Sequence, residues 1–273
     1  MGLRVNTNIA ALSAQRNLAS VSGRLSGNFS RLSSGLRIAT AADDAAGLGI
    51  SERMRGQIRS LAVASRNAQD GVSLAQTAEG ALQEVNNNLN RMRELAVQAA
   101  NGTLTTQDRT TLDTEFQALI TEIGRVSGQA TFNGVALLDG STTSLDIQVG
   151  TNANETIQVA LNDMTSTALN ILGEDITTAA NAGNVMTVID NAIDLVTEAR
   201  GELGAAQNRL TSSIASILNT RENLSAAESR IRDVDVAIET ADLTRNSILQ
   251  QAAVSILAQA NTQPQLALSL LQG

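Results

Sequence analysis

VMTVIDNAIDLVTEARGELGAAQNRLTSSIASI, residues 185–217, sets Val185, Ile189, Ala192, Val196, Ala199, Leu203, Ala206, Leu210, Ile214 and Ile217 at steps of four and three. That spacing keeps one apolar seam against a partner, so the stretch reads as a single long helix in a coiled-coil-like contact. Beyond Ile217 the better seam is Leu224, Ala227, Ile231, Val234, Ile238 and Ala241, with Arg221 and Glu228 off it. A phase slip inside a helical pattern signals a change of packing partner, and it places a boundary near Arg221 or slightly after it.

Partners for this helix lie upstream. Leu74, Ala78, Ala81, Val85, Leu89, Met92, Ala96 and Ala99 form a second seam that ends at the turn signal Asn101-Gly102. A shorter helix carries Leu112, Phe116, Leu119, Ile123 and Val126, opened by Thr105 with Asp108 three residues on, a pattern close to a capping box. Three helices with short links imply an antiparallel bundle, and every apolar residue in them reads first as core. Between Thr131 and Leu161 the period becomes alternating. Turn signals stand at Asn133-Gly134 and Asp139-Gly140, and Leu145, Ile147, Val149 and Ile157, Val159, Leu161 flank a polar tip, which predicts a hairpin. Residues 162–183, rich in Thr, Asn and Gly, read as loop with at most one short helix.

Neither end is satisfied by itself. Residues 1–42 contain no acidic side chain, and residues 246–273 no charged one. Leu18, Val21, Leu25, Phe29, Leu32 and Leu36 nevertheless recur at helical spacing, as do Ile248, Leu249, Ala252, Ile256 and Ala260. Apolar surface left in water is unfavourable by roughly 25 cal/mol per Å². The two stripes are therefore expected to cover each other and to be covered by other copies of the chain.

Composition narrows the function. The 273 residues hold 1% aromatic side chains and neither Cys nor His, so the core is built from Leu, Ile, Val and Ala. Disulfides and thiolate sites are excluded, and the commonest general base and metal ligand is missing. No catalytic constellation, cofactor site or metal site is expected. All 19 basic residues are Arg, and none lies between Val126 and Ala199, where nine acids sit alone. A basic nucleic-acid footprint is absent. Asn6 and Asn8 interrupt any apolar run of signal-peptide length. Gln250, Gln251, Gln259, Asn261 and Pro264 dilute the carboxyl end far below a membrane span.

Isolated motifs read blandly. Gly47-Leu48-Gly49 lacks the strand and third glycine of a dinucleotide site, and reads as local flexibility. Asp43-Asp44, near Arg37, Arg53, Arg55 and Arg59, reads as ion pairing or helix capping before cation binding. The Asn-x-Ser/Thr triplets at Asn28, Asn101, Asn154 and Asn223 are weak glycosylation signals.

A family resemblance is carried by the ends. Val5-Asn6-Thr7-Asn8, Arg31-Leu32-Ser33-Ser34-Gly35-Leu36-Arg37-Ile38 and Asp43-Asp44-Ala45-Ala46-Gly47 closely resemble the amino-terminal signature of bacterial flagellins. So do Ser65-Arg66-Asn67-Ala68, Asn86-Asn87-Asn88-Leu89 and Arg93-Glu94-Leu95-Ala96-Val97-Gln98. At the other end the match runs through Ser229-Arg230-Ile231, Ile248-Leu249-Gln250-Gln251-Ala252, Leu257-Ala258-Gln259-Ala260-Asn261 and Leu268-Ser269-Leu270-Leu271. The resemblance covers nearly all of the chain outside residues 140–183, and includes residues off the seams.

The resemblance implies a mainly α structural protein, not an enzyme, that self-assembles into the flagellar filament for motility. It is a minimal form without large outer variable domains. The implied fold is a long antiparallel helical bundle with paired terminal helices and a small β-hairpin region. Residues 1–45 and 229–273 would be the two halves of an inner-tube helical domain, and residues 46–228 an outer bundle with the hairpin near 131–161. Self-assembly would rest on Leu18, Val21, Leu25, Phe29, Leu32, Leu36, Ile248, Leu249 and Ile256. Flagellin termini order on assembly, and export runs unfolded through the flagellar type III pathway, with an export chaperone and the hook-filament junction and filament cap proteins as partners. The host Toll-like receptor for flagellin would meet Arg91, Leu95 and Glu115. Two rivals stand beside this reading: a hook-filament junction protein, and a coiled-coil scaffold closing into a discrete oligomer. Thr131-Phe132-Asn133-Gly134 with Arg93 to Gln98 favours the filament subunit over the first.

Overall fold

The computed structural model describes the backbone of residues 7–272 and the side chains of residues 7–262. In chain order the elements are α1 (Ile9–Ser34), α2 (Ala45–Ala99), α3 (Thr106–Gln129), β1 (Thr131–Phe132), β2 (Val135–Ala136), β3 (Ser144–Gln148), β4 (Thr156–Ala160), α4 (Ala179–Arg232) and α5 (Val236–Gln272). They form two compact units. One takes the chain up to Gly56 together with the chain from Asn223 onward, and the other is Gln57–Glu222.

The Gln57–Glu222 unit is a helical bundle whose core follows the heptad pattern. Along α2 the buried seam runs through Leu61, Ala64, Ala68, Gly71, Ala75, Ala78, Leu82, Val85, Leu89, Met92, Ala96 and Ala99 at steps of three and four, with Leu74 and Leu95 buried beside it. The seam passes through Leu82, whereas the sequence reading ran it through Ala81, which is half-buried. From Ala78 either step returns to Val85, and taking the larger side chain inside removes more apolar surface from water. On α4, Val185, Ile189, Ala192, Val196, Ala199, Leu203, Ala206 and Leu210 are buried in the same cluster. Arg93 pairs with Asp190 at 2.6 Å and Glu79 with Arg200 at 3.3 Å, so α2 and α4 run antiparallel. Helix α3 begins with the capping box: the Asp108 amide donates to the Thr105 hydroxyl, and the Thr105 amide to the Asp108 carboxylate at 3.0 Å. Its Phe116, Ile120 and Ile123 complete the core.

Two hairpins close this unit. In the first, Asn133 and Gly134 have φ of 50° and 81°, the left-handed pair that a two-residue turn between β1 and β2 requires. In the second, Leu145 pairs with Val159 and Ile147 with Ile157, so one face of the β3–β4 ribbon lies on the helices. Gly71 permits that approach, since a Cβ there would come 3.1 Å from Ile147 and 3.2 Å from Leu210. The segment between β4 and α4 contains no separate helix. It is irregular, yet Met164, Leu169, Ile171 and Ile176 are buried in the core. Asp175 gathers the Thr177 amide and hydroxyl and the Asn181 side chain, just ahead of α4.

In the other unit α1 packs against α5. Gly35, at φ 72°, ends α1 in the left-handed conformation that glycine adopts without strain. Beyond it, the Arg37 amide donates to the Arg232 carbonyl at 2.7 Å and the Val234 amide to the Gly35 carbonyl at 3.0 Å. This short ladder breaks the helical pattern that the sequence continues through Val234 to Ala241. The chain leaves α4 at Arg232, and Asp235 opens α5 by accepting from the Ala237 and Ile238 amides. Ile238 consequently points to solvent.

Candidate self-assembly surface

The α1–α5 pair is held by polar groups as much as by apolar ones. The Asn8 side chain caps α1 by accepting from the Ala11 amide, and donates to the Ala260 carbonyl at 2.7 Å. Some five turns later the buried Asn28 donates to Glu239 at 2.6 Å and accepts from Asn246 at 2.9 Å. Arg31 stands 3.5 Å from the same Glu239 carboxylate. Contacts of 8 with 260 and 28 with 239 make the helices antiparallel and set their rotation. Few large side chains are fully buried between them. Ala11, Ala14, Val21 and Ala260 are the buried apolar residues of the two helices, among the described residues.

That rotation decides which expected assembly residues are covered. Val21 is buried, and Leu18, Leu25, Leu32 and Leu36 are half-buried. Phe29 is 57% exposed, because its neighbour Asn28 takes the inward position. On α5 the inward line is Glu239, Leu243, Asn246, Gln250, Ala253, Leu257 and Ala260. Apart from Ala260, the predicted stripe therefore faces outward: Ile248 is 61% and Ile256 59% exposed, and Leu249 is exposed as well. The two stripes thus cover each other only in part: most of the α1 stripe and Ala260 lie between the helices, while the rest of the α5 stripe is turned outward. Sequence inspection missed Asn28, Glu239 and Asn246. The one available signal was polar residues at seam spacing inside otherwise apolar ends. Leu268 to Leu271 and Val5-Asn6 lie outside the residues whose side chains are described.

Behind α1, Asp43 accepts from the Ala39 and Thr40 amides and the Thr40 hydroxyl. The Thr40 amide foremost, then its hydroxyl, hold the Asp43 carboxyl below the ordinary range. Asp44 caps α2 through the Gly47 amide at 2.9 Å. Gly47 is a close-packed position and not a flexible one, since a Cβ there would collide with the Asp44 carboxylate and come 2.8 Å from Ile38. Among the described residues no three His, Cys, Asp or Glu gather as for a metal ion. No described helix is long and apolar enough to cross a membrane.

On the bundle, Arg91 bonds Glu115 at 2.9 Å and Glu94 at 2.9 Å. The hydrogen bond to Glu115, then that to Glu94, raise the Arg91 pKa. Leu95, on the same helix, is 1% exposed and belongs to the core. Arg91 and Glu115 thus form a surface pair on α2 and α3, while Leu95 supports the helix from beneath.

The chain matches two family models: the bacterial flagellin N-terminal helical region over residues 5–143 and the bacterial flagellin C-terminal helical region over residues 186–271. It is 49% identical to a flagellin of Halalkalibacterium halodurans over 270 residues, 98% of this chain and 99% of that one. It is 45% identical to a flagellin of Bacillus subtilis over 306 residues, 99% of this chain and 100% of that one. The crystal structure of Bacillus cereus flagellin superimposes with a TM-score of 0.52 at 33% identity, covering 60% of this chain and 94% of that one.

Proposed function

Because the chain belongs to the bacterial flagellin family, we propose that it joins its neighbours in the filament through the apolar face that α1 and α5 leave uncovered. The protein is a structural subunit that self-polymerises into the helical, extracellular flagellar filament and serves motility. The junction-protein and scaffold alternatives are not favoured.

The observation that carries the interface is the exposure of Phe29, Ile248, Leu249 and Ile256 on two helices that bury little between themselves. Each such side chain contributes about 1.5–3 kcal/mol when fully removed from water. Leu18, Val21, Leu25, Leu32 and Leu36 serve the same assembly from within, by holding the pair that presents this face. Ordering a residue costs about 1–2 kcal/mol of backbone entropy. A pair with so thin a seam gains its order chiefly from burial against other copies. Electron microscopy of monomer added to short filament seeds, beside a chain ending at Arg245, tests this. Long filaments from the full chain and none from the shortened one support it, and discrete particles from both return the scaffold reading.

The same thin seam suits export through the flagellum's own type III channel, where a chain without disulfides passes unfolded. An export chaperone, the hook-filament junction proteins and the filament cap are the partners such a route calls for. Host recognition by the Toll-like receptor for flagellin is assigned to Arg91 and Glu115, with Leu95 fixing the helix that carries Arg91. Subunit packing can use the same surface, because a patch buried in filaments is free in monomers.

A further inference from the structure

Two exposed patches of the Gln57–Glu222 unit have matching form and opposite charge. On α2, Arg59, Val63 and Arg66 share one face, at helical steps of four and three. Val63 is 45% exposed, and the β3–β4 loop beside it, Gly150 to Ala153, makes a groove with Ser60 and Asn67. Among the described residues neither Arg59 nor Arg66 enters an ion pair. On α4, Asn191, Leu195, Glu198 and Glu202 repeat the spacing, with Leu195 43% exposed. There Asp163 and Met164 complete a groove with Leu195, Glu198 and Glu202. On each helix a large exposed apolar side chain is flanked by charge, by Arg59 and Arg66 beside a groove of neutral residues on α2 and by Glu198 and Glu202 within the groove on α4.

The two cannot meet within one chain. Asp190 and Arg200 face Arg93 and Glu79, so Leu195 stands at the level of α2 between those residues. Val63 lies about 24 Å along α2 from Glu79 alone, at about 1.5 Å per residue. We infer that the Arg59–Val63–Arg66 face of one subunit docks on the Leu195–Glu198–Glu202 face of another, with the two apolar side chains in contact and Arg66 against Glu198. Such a contact joins different surfaces of identical molecules, the head-to-tail arrangement that propagates into an open helix unless its rotation closes. It rests on the filament reading and adds to the terminal helices a second, charge-selected contact on the bundle.

The test is charge exchange, read as seed elongation rate at low salt with the wild-type chain as control. Monomers of each variant are first shown to melt as the wild type does. Arg66→Glu and Glu198→Arg are each expected to slow elongation at least tenfold, and the chain carrying both to recover most of the wild-type rate. At about 1 M salt, where screening acts within about 3 Å, the single variants should approach the wild type. Single variants that elongate normally overturn the contact, as does a double variant no faster than the slower single one. Wild-type monomer that fails to elongate seeds would instead count against the filament reading itself.

Discussion

Asn28 donates to the Glu239 carboxylate at 2.6 Å across the two terminal helices, both side chains being buried. A buried carboxylate that loses a donor is costly, because a hydrogen bond to a charged group contributes about 1.5–3 kcal/mol. Asn28→Ala is therefore expected to lower the stability of the α1–α5 pair by that amount. Removing both partners leaves no buried carboxylate short of a donor, and Arg31, which also faces Glu239, can turn to water, so Asn28→Ala with Glu239→Ala should cost less than the two single changes summed. Hydrogen exchange of the α1 amides in assembled filaments measures both, and strict additivity would mean that the two residues act separately.

Two phenylalanines separate folding from assembly. Phe116 is fully buried among α3 and the bundle core, whereas Phe29 is mostly exposed on α1. Phe116→Ala is expected to destabilise the bundle by about 3–5 kcal/mol, from lost burial and the cavity left behind. Phe29→Ala should leave the thermal unfolding of the monomer within about 0.5 kcal/mol of the wild type. It should nevertheless raise the monomer concentration remaining above filaments at equilibrium. An unchanged residual concentration would remove Phe29 from the interface.

How far the sequence is legible follows from what sits on each seam. In α2, α3 and α4 the inward residues are chiefly Leu, Ile, Val, Phe and Ala at heptad spacing, so periodicity alone locates the bundle and leaves only a choice such as Ala81 or Leu82. The β3–β4 ribbon is equally plain, because Leu145, Ile147, Ile157 and Val159 alternate with polar residues. The terminal pair is different. Its inward line mixes Asn28, Glu239, Asn246 and Gln250 with apolar residues, and Phe29, Ile248, Leu249 and Ile256 face away. A rule that turns apolar residues inward then assigns the wrong face to Ile248 and Ile256. A surface that serves other copies of the chain, as proposed for this face, has the same composition as a core. The break after Arg232 was hidden as well, since it is made by backbone pairing of Arg37 and Val234 with distant residues.

Acid weakens the bundle through specific carboxylates. Asp175 is held below its ordinary pKa by the Thr177 hydroxyl and then Asn181, Asp108 by the Thr105 hydroxyl and amide, and Glu155 by the Asn152 amide and side chain. A carboxyl whose pKa is lower folded than unfolded binds fewer protons in the native state. Its stabilisation is complete above the unfolded value, about 3.9 for Asp and 4.3 for Glu. It is lost as pH falls through the folded value. The melting temperature is therefore expected to hold steady above pH of about 5 and to fall below about 4. Asp175→Asn should start lower and show a shallower acid decline, and an identical decline would relieve Asp175 of that role.

The proposed receptor recognition by the bundle can be tested apart from its folding. Leu95→Ala would strip a core residue, so silence from that variant would report destabilisation of about 2–5 kcal/mol as readily as a lost contact. Arg91 and Glu115 are exposed, and an ion pair screened by water contributes little to folding. Arg91→Ala is thus expected to leave melting of the monomer nearly unchanged while reducing reporter-cell activation at least tenfold. Glu115→Ala should act in the same direction, since it releases the Arg91 guanidinium from its 2.9 Å partner. Equal dose-response curves for wild-type and Arg91→Ala monomers would leave this pair with structural work alone, fastening α3 to α2.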